Sequence, residues 1–192
     1  ILDVRYEDGI ATVLLRDDAT SVLSIGSYQF SNSAEPQLRQ LEATNENQAK
    51  ITLGLISQSG KLAAYGDSQG GIKIFDVISG RKVQELREQT DEILSLNFSS
   101  DERWLVSSSK DRTTKVWDIS STAQSLLTVS TDEPLGYVVI APNKRWFGGV
   151  RNKGALLGGD IQVWNANKLI AQSSGSKIPE NYQLGGFINS GD

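Results

Sequence analysis

A motif recurring at an interval of about 40 to 45 residues narrows what this chain can become more than any other feature. Ile93 to Phe98 (ILSLNF) leads through Ser99-Ser100-Asp101 to Trp104 to Ser109 (WLVSSS), then through Lys110-Asp111-Arg112 to Thr114 to Asp118 (TKVWD). One interval earlier, Ile51 to Ile56 (ITLGLI), Leu62 to Gly66 (LAAYG) and Ile72 to Asp76 (IKIFD) follow in the same order. One interval later, Gly136 to Ile140 (GYVVI), Trp146 to Val150 (WFGGV) and Ile161 to Asn165 (IQVWN) do so again. Phe75, Trp117 and Trp164 thus hold equivalent places. Within each run apolar residues alternate with polar ones, and Gly, Asp, Asn and Ser bound the runs, which is the pattern of half-buried strands joined by turns.

A fourth strand fits after each aromatic, at Lys82 to Leu86, Ala123 to Val129 and Lys168 to Gln172. Four strands per unit at this period describe an all-β propeller of four-stranded antiparallel blades. The expected blades are residues 1–46, 47–90, 91–133 and 134–178, and Tyr182 to Ile188 reads as the first strand of a further blade at 179–192. The N-terminal unit is more degenerate, with strands expected at Ile1 to Tyr6, Ile10 to Leu15, Val22 to Tyr28 and Gln37 to Glu42. A blade cannot cover both its faces alone, so stability depends on stacked neighbours. An extra strand has no slot in a closed four-bladed ring, and the chain opens on Ile1 rather than Met, so it reads as an excerpt of a longer protein.

These residues resemble the WD40-repeat family. Leu94 to Asp101, Leu105 to Asp111 and Lys115-Val-Trp-Asp118 track its pattern, and the resemblance covers Ile51 to about Gly175. It implies a larger, seven-bladed ring, whose remaining blades come from the rest of the protein or from another copy. It also implies a hydrogen-bonded set bracing each blade, with Ser107, Asp111 and Trp117 as its members in the best-matching unit and Phe75 and Trp164 as the corresponding aromatics. The family's Gly-His pair is replaced by Glu88-Gln89, Gln69 falls where the earlier blade would carry its Asp, and the first blade has no Trp. A buried polar set that lacks a member loses about 1 to 3 kcal/mol per unpaired group, unless Gln89 or a water fills in.

Composition then excludes chemistry. The chain has no Cys and no His, so thiol nucleophiles, disulfides, Ser-His-Asp arrangements and the usual zinc sites are ruled out within it. Its net charge of −4 argues against non-specific nucleic-acid binding, and no stretch is long and apolar enough for a membrane span, so neither nucleic acid nor membrane is expected as a partner. Carboxylates remain as possible acids or bases, yet Asp17-Asp18, Asp91-Glu92 and Asp101-Glu102 sit beside turns, where solvated acids are the default. The glycine-rich stretch from Arg151 to Asp160 lacks the Gly-Lys-Ser/Thr ending of a phosphate loop.

The sequence therefore points to a cytoplasmic, non-catalytic interaction scaffold or sensor without cofactor or metal, recognising a protein partner through loops at one blade end. Lys110, Arg112, Arg151, Lys153, Leu156 and Leu157 are the candidate contacts. The competing reading is a catalytic or small-ligand propeller using carboxylates in its central mouth. A third, implied by the resemblance, is the sensory part of a larger signalling protein.

Overall fold

In the computed structural model, residues 1–7, 10–17, 22–29, 37–41, 49–121, 123–151 and 161–173 are described. The strands are β1 (Asp3–Glu7), β2 (Ile10–Arg16), β3 (Leu23–Gln29), β4 (Gln37–Gln40), β5 (Ile51–Ile56), β6 (Leu62–Asp67), β7 (Ile72–Asp76) and β8 (Lys82–Leu86). They continue as β9 (Ile93–Phe98), β10 (Trp104–Ser109), β11 (Thr113–Asp118), β12 (Ser125–Ser130), β13 (Tyr137–Ile140), β14 (Trp146–Val150) and β15 (Ile161–Asn165), and a helix α1 (Ala166–Ser173) follows. The strands form four antiparallel meanders, here blades 1 to 4: β1 to β4, β5 to β8, β9 to β12, and a three-stranded β13 to β15. The proposed beginning of another blade at Tyr182 to Ile188 lies outside the described residues.

The first strand of each blade faces the first strand of the next. Asp3 Oδ2 accepts the Ile56 N–H at 2.8 Å, Thr52 Oγ1 donates to the Ile93 carbonyl at 2.9 Å, and Val138 N–H donates to Ser95 Oγ at 3.1 Å. The innermost strands are thereby laced in order. Between each pair of blades lies a separate apolar core. Leu14, Ile25, Ile56, Tyr65 and Phe75 fill the space between blades 1 and 2; Ile74, Ile93, Leu96, Leu105 and Trp117 fill the next; Val106, Val116, Val138, Phe147 and Trp164 fill the third. Gly66 permits the second of these contacts, because a Cβ there would come within 2.6 Å of the Ile93 side chain.

The equivalent aromatics are anchored in three different ways. Phe75 stacks on Tyr65, with ring centroids 5.9 Å apart, and Trp164 stacks on Phe147 at 5.3 Å. Trp117 instead donates its indole N–H to Ser107 Oγ at 2.9 Å. The Ser107 hydroxyl donates to Gln89 Oε1 at 2.7 Å, and Gln89 Nε2 donates to the Thr113 carbonyl and hydroxyl at 3.0 and 3.1 Å. Thr113 closes the series on Asp111 Oδ1 at 2.6 Å, while Asp111 Oδ2 accepts the Thr90 N–H at 2.9 Å. Gln89 therefore fills the place of the family histidine, supplying a donor and an acceptor from one buried amide. In blade 2, where Gln69 stands opposite Asp111, Asp67 Oδ1 accepts the Gln69 and Gly71 N–H groups at 2.8 and 2.9 Å, so the turn is satisfied from another position.

The expected fourth strand at Lys168 to Gln172 is instead part of α1. In blade 2 the Asp76 carboxylate accepts the Ser79 N–H at 2.7 Å, and Gly80, with φ of 70°, turns the chain back into β8. Asn165 occupies the Asp76 position in blade 4 and accepts the Lys168 N–H at 3.0 Å, but Leu169 replaces the glycine. A leucine is disfavoured in the left-handed conformation, and here the Asn165 bond serves as a helix N-cap. Ala166 and Leu169 then bury against the core between blades 3 and 4.

Two substitutions test this packing. Gln89→Ala should strand Ser107 and Thr113 and cost about 2 kcal/mol, with a Ser107→Ala partner mutation far from additive, as read by urea denaturation of the intact protein. Thr114 Oγ1 is buried without a hydrogen-bond partner. Thr114→Val should accordingly raise stability by about 1 kcal/mol in the same measurement.

Candidate functional site

An antiparallel meander sends its first-to-second and third-to-fourth turns to one end, and its second-to-third turns and blade-to-blade connections to the other. Of the expected contact residues, Lys110, Arg112 and Arg151 belong to the second end. There Lys110 forms an ion pair with Glu92, which raises the lysine pKa above its ordinary value. Arg151 keeps only 15% of its side chain exposed and faces Asp132 and Glu133, each at 3.8 Å. Arg112 is different: it is exposed, carries no ion pair among the described residues, and sits at φ of 67° where blade 2 has Gly70 at 85°. Its backbone is fixed by bonds from Arg112 N–H to the Ser109 carbonyl at 3.1 Å and from Thr131 N–H to the Arg112 carbonyl at 2.9 Å. Lys153, Leu156 and Leu157 lie outside the described residues. Of the six candidates, Lys110 and Arg151 are thus engaged by acids of their own blade ends, and Arg112 is presented to solvent.

The opposite end is more uniform than the sequence suggested. The turns after β5, β9 and β13 share one geometry, with Gly60, Glu102 and Lys144 N–H groups bonded to the Ser57, Ser99 and Ala141 carbonyls at 3.0, 2.8 and 2.8 Å. The three residues have φ of 71°, 57° and 56°. For Glu102 and Lys144 this left-handed conformation costs free energy that Gly60 avoids. Each offsets it by reaching back to the preceding blade. Glu102 Oε1 accepts the Ser59 N–H at 2.8 Å, and Lys144 pairs with Asp101 while lying 5.4 Å from the centre of the Trp104 ring. The turns of blades 2, 3 and 4 are therefore tied in series. A cleft of about 350 Å³ opens beside them at the ends of the innermost strands, with Arg5, Gln58, Asn97, Ser100 and Ile140 in its wall and no carboxylate among its described lining residues. The cue in the sequence was the placement of Asp101, Glu102 and Lys144 around the position of Gly60.

Two carboxylates titrate far below their ordinary range. The Lys144 ammonium, followed by the Ser99 hydroxyl, pulls Asp101 down to about 2, and Lys82, aided by Arg87, pulls Glu85 down to about 2. A carboxylate whose folded pKa is depressed stabilises the fold fully above its unfolded value and loses that contribution as pH falls through the folded one. Stability should therefore decline as pH drops from about 4.5 toward 2, and Asp101→Asn should flatten part of the decline. Urea midpoints of the intact protein across this range provide the measurement.

The family profile described as WD domain, G-beta repeat, matches residues 80–118, which contain the Gln89, Ser107, Asp111 and Trp117 brace. The chain is 32% identical over 111 residues to eukaryotic translation initiation factor 3 subunit I of Anopheles gambiae, covering 58% of this chain and 33% of that protein. It is 32% identical over 94 residues to the U3 small nucleolar RNA-associated protein 21 homolog of Schizosaccharomyces pombe, covering 49% of this chain and 10% of the relative. It spans about a third of the length of the initiation-factor subunits that it matches. Among solved structures, a chain of the mitotic checkpoint complex superposes with a TM-score of 0.63 at 14% identity, over 85% of this chain and 47% of that one. The Myceliophteria thermophila Cps50 (Swd1) β-propeller domain superposes with a TM-score of 0.50 at 20% identity, over 59% of this chain and 38% of that one. Residues 80–118 thus carry a WD40 repeat, and the antiparallel blades around it have the fold of a β-propeller.

Proposed function

We propose that this chain serves as a non-catalytic interaction scaffold or sensor module, within a ring completed by further blades or by a second copy, and that it recognises a protein partner through the end carrying Arg112. The observation that carries the reading is the Arg112 guanidinium, exposed and free of ion pairs among the described residues on a turn braced by backbone hydrogen bonds. A charged anchor held on a rigid turn loses little conformational freedom when a partner engages it. Lys153, Leu156 and Leu157 belong to the same proposal. Relatives are named as a subunit of a translation initiation factor, which supports a protein partner; a cytoplasmic setting belongs to the same proposal.

The test is recovery of partners by the intact protein carrying Arg112→Glu or Leu157→Asp, with thermal unfolding as the check on folding. Recovery should fall by about tenfold in each, as expected for loss of an interface anchor. Undiminished recovery in both would remove this end from the interface.

A further inference from the structure

Lys61, Arg103 and Arg145 occupy one place in three successive blades, each immediately before the second strand, and they are equally spaced along the chain. Their backbones are held alike. The carbonyl of each accepts the N–H of the residue that follows the third strand, Val77, Ile119 and Ala166 respectively, at 2.8 Å in all three cases. Lys61 and Arg145 are exposed and carry no ion pair among the described residues. Arg103 grips Asp118 through Nε and Nη2 at 3.2 and 3.0 Å, yet 59% of its side chain remains accessible. Arg81 and Lys168 flank the row at the third-strand turns and are likewise exposed without an ion pair among the described residues.

Among the described residues, the carboxylates at this end engage groups other than Lys61 and Arg145, and Asp118 pairs with Arg103. Asp76 caps Ser79, Asp118 caps Ser120 as well as holding Arg103, Glu102 caps Ser59, and Asp101 holds Lys144. Meanwhile Asp91, Glu92, Asp111, Asp132 and Glu133 all lie at the other end. In a chain whose net charge is −4, Lys61 and Arg145 therefore stand as exposed cations without a paired carboxylate among the described residues. This inference goes beyond the Arg112 surface and is independent of it.

We propose that the Lys61, Arg103 and Arg145 row is a docking surface for an acidic, extended segment of a protein partner. The cations stand singly, one per blade, which suits acidic side chains spaced along a peptide. Ile78, 76% exposed on the same turn as Arg81, offers the segment an apolar contact. Single-stranded RNA is the poorer fit, since base recognition relies on open aromatic faces, and Trp104 in this row is covered by Lys144.

Fluorescence anisotropy of a labelled polyglutamate peptide with the intact protein tests the assignment. The Lys61→Ala/Arg145→Ala double variant should bind at least about tenfold more weakly, with a shallower salt dependence, and Lys61→Glu/Arg145→Glu should abolish binding. Arg112→Glu should leave this affinity unchanged. Both double variants should keep the parent thermal midpoint, because neither side chain has an ion-pair partner among the described residues to lose. Equal affinity in the parent and the double variants would overturn the proposal. Tighter binding of oligouridine than of polyglutamate, lost in the same variants, would overturn it in favour of RNA.

Discussion

A four-stranded blade has two apolar faces and covers neither by itself, and the rest of this structure follows from that constraint. Each of the three cores is assembled from two blades, so no blade owns a core. The inner strands add a second level of coupling, since Asp3, Thr52 and Ser95 each spend a side chain on the backbone of a neighbouring blade. A third level lies in the turns, where Glu102 and Lys144 reach back across a blade boundary. Stability is consequently a property of interfaces more than of units, as in other repeat architectures. The faces that bound the described blades show the same constraint from outside: Val4 and Tyr6 on blade 1, and Tyr137, Val139 and Ile161 on blade 4, are exposed apolar residues.

The aromatic of the third strand illustrates how one packing requirement admits different chemistry. Ser107 faces Lys115 across blade 3 in the register that places Tyr65 opposite Lys73 in blade 2. A hydroxyl at that site needs a partner on each side, which Trp117 and Gln89 provide; a tyrosine ring meets the same space by stacking on Phe75. In blade 4 Gly149 takes the corresponding position, and the indole of Trp164 is accommodated by Phe147. The aromatic position is thus set by the architecture, while its anchoring is settled blade by blade.

Most of the fold was legible because strand alternation and turn residues are local signals. Ile51–Ile56, Lys82–Leu86, Ile93–Phe98, Trp104–Ser109 and Ile161–Asn165 were all readable from their own residues. The helix α1 was missed because repeat alignment argued for a strand there, and what distinguishes it is the Asn165 cap together with Ala166 and Leu169, which bury against the core. The candidate contacts were legible as charges but not as availability. Lys110 and Arg112 look alike in sequence, yet Glu92 is within reach of only the first in the folded chain. The periodic cations at Lys61, Arg103 and Arg145 were visible as letters, but their significance depends on where each neighbouring carboxylate is committed.

Gln89 has a consequence of another kind. An imidazole at the hub of a buried relay exchanges a proton near neutrality, so its occupancy can couple folding to pH. The carboxamide has no such proton to gain or lose. The chain from Trp117 through Ser107 and Gln89 to Thr113 therefore keeps one donor–acceptor polarity across the neutral range, and opening this blade exchanges no hydron at its hub. The described carboxylates held below their ordinary range, Asp76, Glu85, Glu88, Asp101 and Asp118, all stand outside this relay, so acid reaches the fold through its turns and ion pairs while the hub of the brace keeps its pattern.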